Sequence, residues 1–139
     1  MPLTNDAITA AMEAVNAASP FNRFAGFEVV VVEPGTITLA ADVHPDLLNH
    51  AGALHAGAQA ALIDTACGYA AGSVIGNVVT VQLSLQFLSS AKGSRFEARA
   101  AVVKAGKTQA FAEAQLFALR DGAEVLVASG SAVLTKAGG

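Results

Sequence analysis

Residues 55–71, HAGAQAALIDTACGYAA, constrain this chain more than any other segment. Alanine dominates them, which favours helix. Apolar residues fall all round that helix, and a helix without a polar face must be buried. The chain that follows has the pattern to enclose it. From residue 77 onward the period changes to two: Val79, Val81, Leu83, Leu85 and Phe87 alternate with Thr80, Gln82, Ser84 and Gln86. Phe96, Ala98, Ala100 and Val102 alternate with Arg95, Glu97 and Arg99 in the same way, and residues 108–119 and 123–134 supply two more strands. Ala91-Lys92-Gly93, Ala105-Gly106-Lys107 and Arg120-Asp121-Gly122 punctuate them as hairpin turns.

Upstream, residues 5–18 read as a short amphipathic helix. Ile8, Met12 and Val15 recur at helical spacing, Asn5 or Asp6 caps the start, and Ser19-Pro20 ends it. Residues 26–33 and 36–43 read as a hairpin about Glu33-Pro34-Gly35, with Ile37, Leu39, Ala41 and Val43 on one buried face. Residues 44–54 carry Pro, Asn and Gly and read as an irregular loop. The order is helix, two strands, buried helix, four strands. That is an α+β arrangement in which an antiparallel sheet wraps a central helix. One domain is expected over residues 1–139, with 1–20 as an N-terminal helix and lead-in.

Composition then excludes several classes. Hydrophobic residues make up 53% and charged residues only 14%, where a soluble domain of this size shows nearer a quarter charged. The surplus apolar surface points to burial between subunits. It does not point to a bilayer, because no stretch of about 20 uncharged apolar residues occurs. The net charge is −3 and no Lys/Arg cluster exists, so nucleic-acid binding has no electrostatic footprint. The first residues lack the pattern of a signal peptide, and the single cysteine, Cys67, cannot form an internal disulfide, so the cytoplasm is the expected compartment. No Cys/His cluster surrounds Cys67, and no metal is expected.

Asp64 is the most informative position for chemistry. It is the only formally charged side chain between Asp46 and Lys92 apart from any charge on His50 or His55, and its near neighbours are Leu62, Ile63, Ala66 and Cys67. An unpaired buried carboxylate is costly, so Asp64 must be hydrogen-bonded, protonated or facing a cavity. It is either a general base or a structural Asp tied to a neighbouring strand. His55-Ala56-Gly57 begins the same helix, where free N–H groups suit an oxyanion, and where small residues equally suit a plain capping turn. Asn49 either donates to the same carbonyl or shapes its loop. Thr80 lies with Gln82 on the polar side of its strand, where a hydroxyl can position a water. No G-x-S-x-G elbow, dinucleotide fingerprint or P-loop occurs. Cys67 inside an apolar helix is a poor nucleophile.

At these residues a family resemblance enters. The run Asn49-x-x-Gly52-x-x-His55-Ala56-Gly57-(x)6-Asp64 resembles the motif of hotdog-fold acyl-CoA thioesterases of the phenylacetate-degradation (PaaI-like) type. Residues 79–88, Ala91-Lys92-Gly93 and Gly106-Lys107-Thr108-x-Ala110-Phe111 resemble that family's first long strand and two of its turns, and the resemblance covers roughly residues 21–135. It implies a helix wrapped by an antiparallel sheet, and hydrolysis of an acyl-CoA to free acid and CoA. It implies that Asp64 activates a water or attacks the thioester. Ala56 would supply the oxyanion-hole N–H, Asn49 would help hold the carbonyl, His55 would line the pocket and Thr80 would position the water. Gly57, Gln82 and Tyr69 are the further substrate contacts expected. CoA is part of the substrate, so no separate cofactor is implied. A homodimer, assembling as a dimer of dimers, is the implied state. The family usually reads His-Gly-Gly where this chain has Ala56 in the middle, and its first strand often carries an acid where Gln82 stands.

Two other readings compete. A hotdog dehydratase or hydratase pairs His with Asp or Glu, and no such arrangement is visible around His44 or Asp42. A non-catalytic acyl-CoA-binding hotdog protein is the alternative outside enzymes.

Overall fold

In a computed structural model, which describes residues 5–138, the apolar helix lies where its composition requires. α3 (Ala56–Ile75) packs on the inner face of one antiparallel six-stranded sheet. The strands are β1 (Glu28–Glu33), β2 (Thr36–Asp42), β3 (Val78–Phe87), β4 (Arg95–Ala105), β5 (Gln109–Arg120) and β6 (Ala123–Lys136), arranged β1-β2-β4-β5-β6-β3. The chain leaves β2 on one side, runs through α3, and enters β3 at the opposite edge. Its two hairpins then fill the middle of the sheet. α1 (Asn5–Ala18) lies against β1 and touches α3.

Alanine lines the inner face of the sheet. Ala98, Ala100, Ala112, Ala114, Ala128 and Ala132 are buried beneath Leu62, Ile63, Ala66 and Cys67 of α3. Small side chains bring sheet and helix close together. At Gly130 on β6 the approach is closer still: a Cβ there would lie 2.9 Å from Ile63 Cγ2 and 2.8 Å from the Ser84 carbonyl oxygen.

Three features depart from the sequence reading. Pro20 does not only end α1, because Ser19 caps a second short helix, α2 (Pro20–Ala25), through the Asn22 N–H. α3 runs on past residue 71 to Ile75, where Gly76 closes it at φ 88° with its N–H on the Gly72 carbonyl. The loop 44–54 contains a 3-10 turn, Pro45–Leu47, and a bridge between Leu48 and Leu54.

β3 carries the most consequential departure. Thr80 pairs with Leu134 and Gln82 with Val133, so two residues of β3 advance against one of β6. This β-bulge reverses which side chains face inward. Before it Val78 and Thr80 face α3; after it Leu83 and Leu85 do. Val79 and Val81 therefore do not share the buried face that strict alternation assigns them, and they stand 53% and 59% exposed on the sheet edge. Thr80 does not share a polar face with Gln82 either.

Candidate active site

Asp64 projects from the middle of α3 and is half-buried. Its Oδ1 accepts the hydroxyl of Thr80 at 2.7 Å. The bulge at Val81 makes this contact possible, because it turns Thr80 toward the helix. Oδ2 of Asp64 accepts from no described residue. One oxygen is thus held in place, and the other is available to take a proton or to attack.

The pair sits on the rim of a hollow of about 310 Å³ between α1, α3 and β3. In a helix of 3.6 residues per turn, Asp64, Gly68 and Gly72 fall on one side, and all three line this hollow. The glycines form its floor. Met12, Val78 and Leu134 supply its apolar walls. A groove of about 510 Å³ crosses the sheet between Ser84, Arg99 and Ser131. It lies on the outer face, away from α3, and Asp64 and Thr80 line only the smaller hollow of the two.

Tyr69 closes the far rim. Asn22 Nδ2 donates to the Tyr69 hydroxyl and to Asn16 Oδ1, and the Tyr69 hydroxyl donates to Asn16 Oδ1, each at 3.0 Å. Burial pushes the Tyr69 phenol above its ordinary pKa, partly offset by the Asn22 hydrogen bond. Asn16 and Asn22 carry no signal in the sequence. They reach Tyr69 from 53 and 47 residues away, through two helices whose contact no local pattern encodes.

The other expected residues gather at the start of α3. His55 is its N-cap, and Nδ1 accepts the Gly57 N–H at 2.8 Å. That places the remaining ring proton of the neutral imidazole on Nε2. Gly57 thus gives its N–H to the cap. The N–H of Ala56, the first helical residue, has no partner among the described residues and faces solvent. Asn49 Oδ1 accepts the N–H groups of Ala51 and Ala53 at 2.9 and 3.1 Å, which shapes the loop and leaves its amide N–H groups as donors. Eight residues separate Ala56 from Asp64, or roughly 12 Å along the axis. Within one chain, Asp64, Thr80 and Tyr69 come together. Asn49, His55, Ala56 and Gly57 come together elsewhere. Gln82 joins neither group: it lies on the outer face beside Phe111, Glu113 and Ser131.

Cys67, next to this site on α3, is fully buried, and its thiol is pushed up to about 12, first by burial and then by Asp64 and Glu113. It stays a protonated core residue. No group of three His, Cys, Asp or Glu side chains that could hold a metal occurs among the described residues. No helix among them is long and apolar enough to cross a membrane.

Comparison with known proteins decides what kind of chain this is. The family profile of the thioesterase superfamily matches residues 51–125. A candidate esterase of Halobacterium salinarum is 36% identical over 121 residues, covering 78% of this chain and 80% of that protein. The chain belongs to the thioesterase superfamily. A thioesterase family protein from Silicibacter pomeroyi superposes with a TM-score of 0.89 at 35% identity, covering 92% of this chain and 96% of that one. The PaaI protein from the phenylacetic acid degradation operon of E. coli superposes with a TM-score of 0.86 over 98% of both chains at 20% identity, which speaks for the fold alone. The architecture is therefore the hotdog fold of PaaI-like thioesterases, the sheet wrapping α3 as expected. Membership supports thioester hydrolysis as the general chemistry.

Proposed function

We propose that this protein is an acyl-CoA thioesterase whose catalytic carboxylate is Asp64. The observation that carries the reading is the 2.7 Å bond from Thr80 to Asp64 Oδ1 at the edge of a hollow. One oxygen of Asp64 is anchored by Thr80, and the other has no partner among the described residues. In this mechanism Asp64 takes the proton of a water that Thr80 helps to hold, and the water adds to the thioester carbon. The C–S bond then breaks and releases the CoA thiolate, which takes up the proton. Alternatively Asp64 attacks that carbon itself and expels the thiolate, and water then cleaves the acyl-Asp64 anhydride to the free acid. The Ala56 N–H receives the negative charge that develops on the carbonyl oxygen. The Asn49 amide N–H groups are a second source of donors.

The reading includes a homodimer with shared sites, and geometry supports it. Donor and carboxylate must both lie about 3 Å from one reacting group, which roughly 12 Å of helix forbids within a chain. β3 is an edge strand with unpaired backbone groups and two exposed valines, a surface that invites pairing. Two chains joined along β3 by a two-fold axis run their α3 helices antiparallel. Each helix start then approaches the other chain's Asp64. The dimer of dimers and a cytoplasmic setting complete the reading.

The test is thiol release from acyl-CoAs with the wild type and Asp64→Asn. Amide and carboxylate are nearly isosteric, but only the carboxylate takes a proton or attacks. Turnover should fall at least about a hundredfold with an unchanged melting temperature. Wild-type turnover in a folded Asp64→Asn protein removes Asp64 from the mechanism.

A further inference from the structure

Gln59, at the start of α3, is 6% exposed, and its Oε1 is the one buried side-chain nitrogen or oxygen atom without a partner among the described residues. A carbonyl can only accept, so the 2.9 Å contact with the Leu54 carbonyl is made by the Gln59 amide N–H, and Oε1 is the oxygen left over. An unpaired oxygen sealed from water is costly. Methionine or leucine would fill a position of this size without that cost. What only the amide supplies here is the N–H on Leu54. The main-chain N–H of Gln59 donates to the next carbonyl, that of His55, at 3.0 Å. One residue therefore holds two consecutive carbonyls, on either side of the His55 α-carbon. The N–H groups beside them are tied as well: Leu54 donates to the Ala91 carbonyl at 2.8 Å, and His55 to the Leu47 carbonyl at 2.9 Å.

We infer that Gln59 is a positioning residue for the oxyanion donor: its side-chain amide, bonded to the Leu54 carbonyl, fixes the direction of the Ala56 N–H. The inference rests on the role proposed for that N–H in thioester hydrolysis. The Ala56 N–H lies in the same rigid peptide plane as the His55 carbonyl and points the opposite way. Its direction depends on the two dihedrals of His55, φ −57° and ψ 142°, which turn that plane against the preceding one. The main-chain bond from Gln59 holds the second plane, and its side-chain bond holds the first. Without the side-chain bond the Leu54 carbonyl is loose, and the two planes rock together about the anchors that remain. An oxyanion donor works by being in place before the charge develops. A small loss of direction therefore costs rate while leaving ground-state binding nearly as it was.

The test is Gln59→Met in the full chain, alone and combined with Ala56→Pro, read by thiol release from acyl-CoAs and by thermal melting. Methionine keeps the length and loses the amide. It removes the unpaired Oε1 but frees the Leu54 carbonyl, so one buried unpaired oxygen replaces another, and Tm should fall by about 5 °C or less. The kcat should fall about tenfold with KM little changed. In the Ala56→Pro chain no N–H remains to be aimed, and adding Gln59→Met should leave kcat within about twofold. An unchanged kcat in folded Gln59→Met, a raised KM at constant kcat, or the same tenfold loss in both backgrounds each overturn the inference and leave the thioesterase reading standing. If Gln59→Met does not fold, Gln59→Leu carries the same comparison, and failure of both to fold assigns Gln59 to stability alone and overturns the inference. Wild-type kcat in Ala56→Pro, or hydrolysis of no acyl-CoA by the wild type, overturns the reading of the oxyanion donor and this inference with it.

Discussion

Ala56→Pro isolates the oxyanion donor with little disturbance elsewhere. Proline removes one N–H and nothing else that the described fold uses, because that N–H has no partner among the described residues. The position suits proline for two reasons. Ala56 is the first helical residue, where the fixed proline φ matches the helix. His55 before it has φ −57° and ψ 142°, the extended conformation that a following proline demands. Proline also restricts the unfolded chain, so the substitution should stabilise by about 0.4–1 kcal/mol, a rise of roughly 1–3 °C in Tm for a chain of this size. Activity should move the other way. Losing one oxyanion donor costs roughly 10²–10³ in kcat. The assay is thiol release at saturating acyl-CoA together with thermal melting. A variant that melts at or above the wild-type temperature and turns over at the wild-type rate refutes the role given to Ala56. The same variant tests the shared site. Refolded in equal amounts with Asp64→Asn, about half the dimers are mixed. In a mixed dimer one site carries both defects and the other neither. Roughly a quarter of wild-type activity should return if each site draws its donor from one chain and its carboxylate from the other. If native mass spectrometry shows mixed dimers and no activity returns, the two groups act within one chain.

Thr80→Val keeps the shape and removes the hydroxyl bonded to Asp64, so kcat should fall about tenfold with KM little changed; an unchanged kcat rules out a role for that bond. Gly130→Ala places a methyl within 2.9 Å of Ile63 Cγ2 and 2.8 Å of the Ser84 carbonyl oxygen, and should destabilise by about 1–3 kcal/mol in thermal or urea unfolding; a neutral result means that sheet and helix separate freely there. Cys67 should resist a disulfide thiol reagent at pH 8 in the folded protein and react fully in denaturant, and rapid native labelling counts against its burial. Its folded pKa of about 12 lies above the ordinary 9.0. The fold therefore favours the protonated thiol: that stability is complete below about pH 9 and is lost as pH rises toward 12. Tyr69 contributes with the same sign. Cys67→Ala should accordingly lose less of its melting temperature between pH 9 and 11 than the wild type does.

Periodicity made the framework legible. The bounds of α1, the hairpin about Gly35 and the three C-terminal strands follow the apolar spacing closely, except that β2 ends at Asp42 and Val43, expected on its buried face, stands exposed beyond it. Where two effects compete, spacing misleads. At β3 the alternation of Val79 through Phe87 is unbroken in the sequence, and the bulge that interrupts it arises from register against β6. The exchange placed Thr80 beside Asp64 and turned Val79 and Val81 outward, while Gln82 stays on the outer side that the alternation gives it. α2 is six residues long, too short for any periodic signal. The C-terminal turn of α3 follows Gly72, which weakens helix locally but lines the hollow. Asp64 stood out because a charge in an apolar helix needs a reason. Asn16 and Asn22 did not, since asparagines near helix ends are common and their meeting at Tyr69 is tertiary.

The alanine lining of the sheet has a consequence for how firmly Asp64 is held. An alanine side chain has no rotamers to lose on folding, whereas leucine, isoleucine or methionine gives up conformational freedom when buried. An interior built largely of methyl groups therefore orders at little entropic cost. It also has few alternative arrangements to adopt once ordered. A leucine-rich core absorbs a small helix shift by switching rotamers; methyl groups in contact have no such adjustment. Where α3 lies on these alanines its seat has little internal freedom, so the helix that carries Asp64 is placed largely by backbone against backbone, and Thr80 then holds the carboxylate.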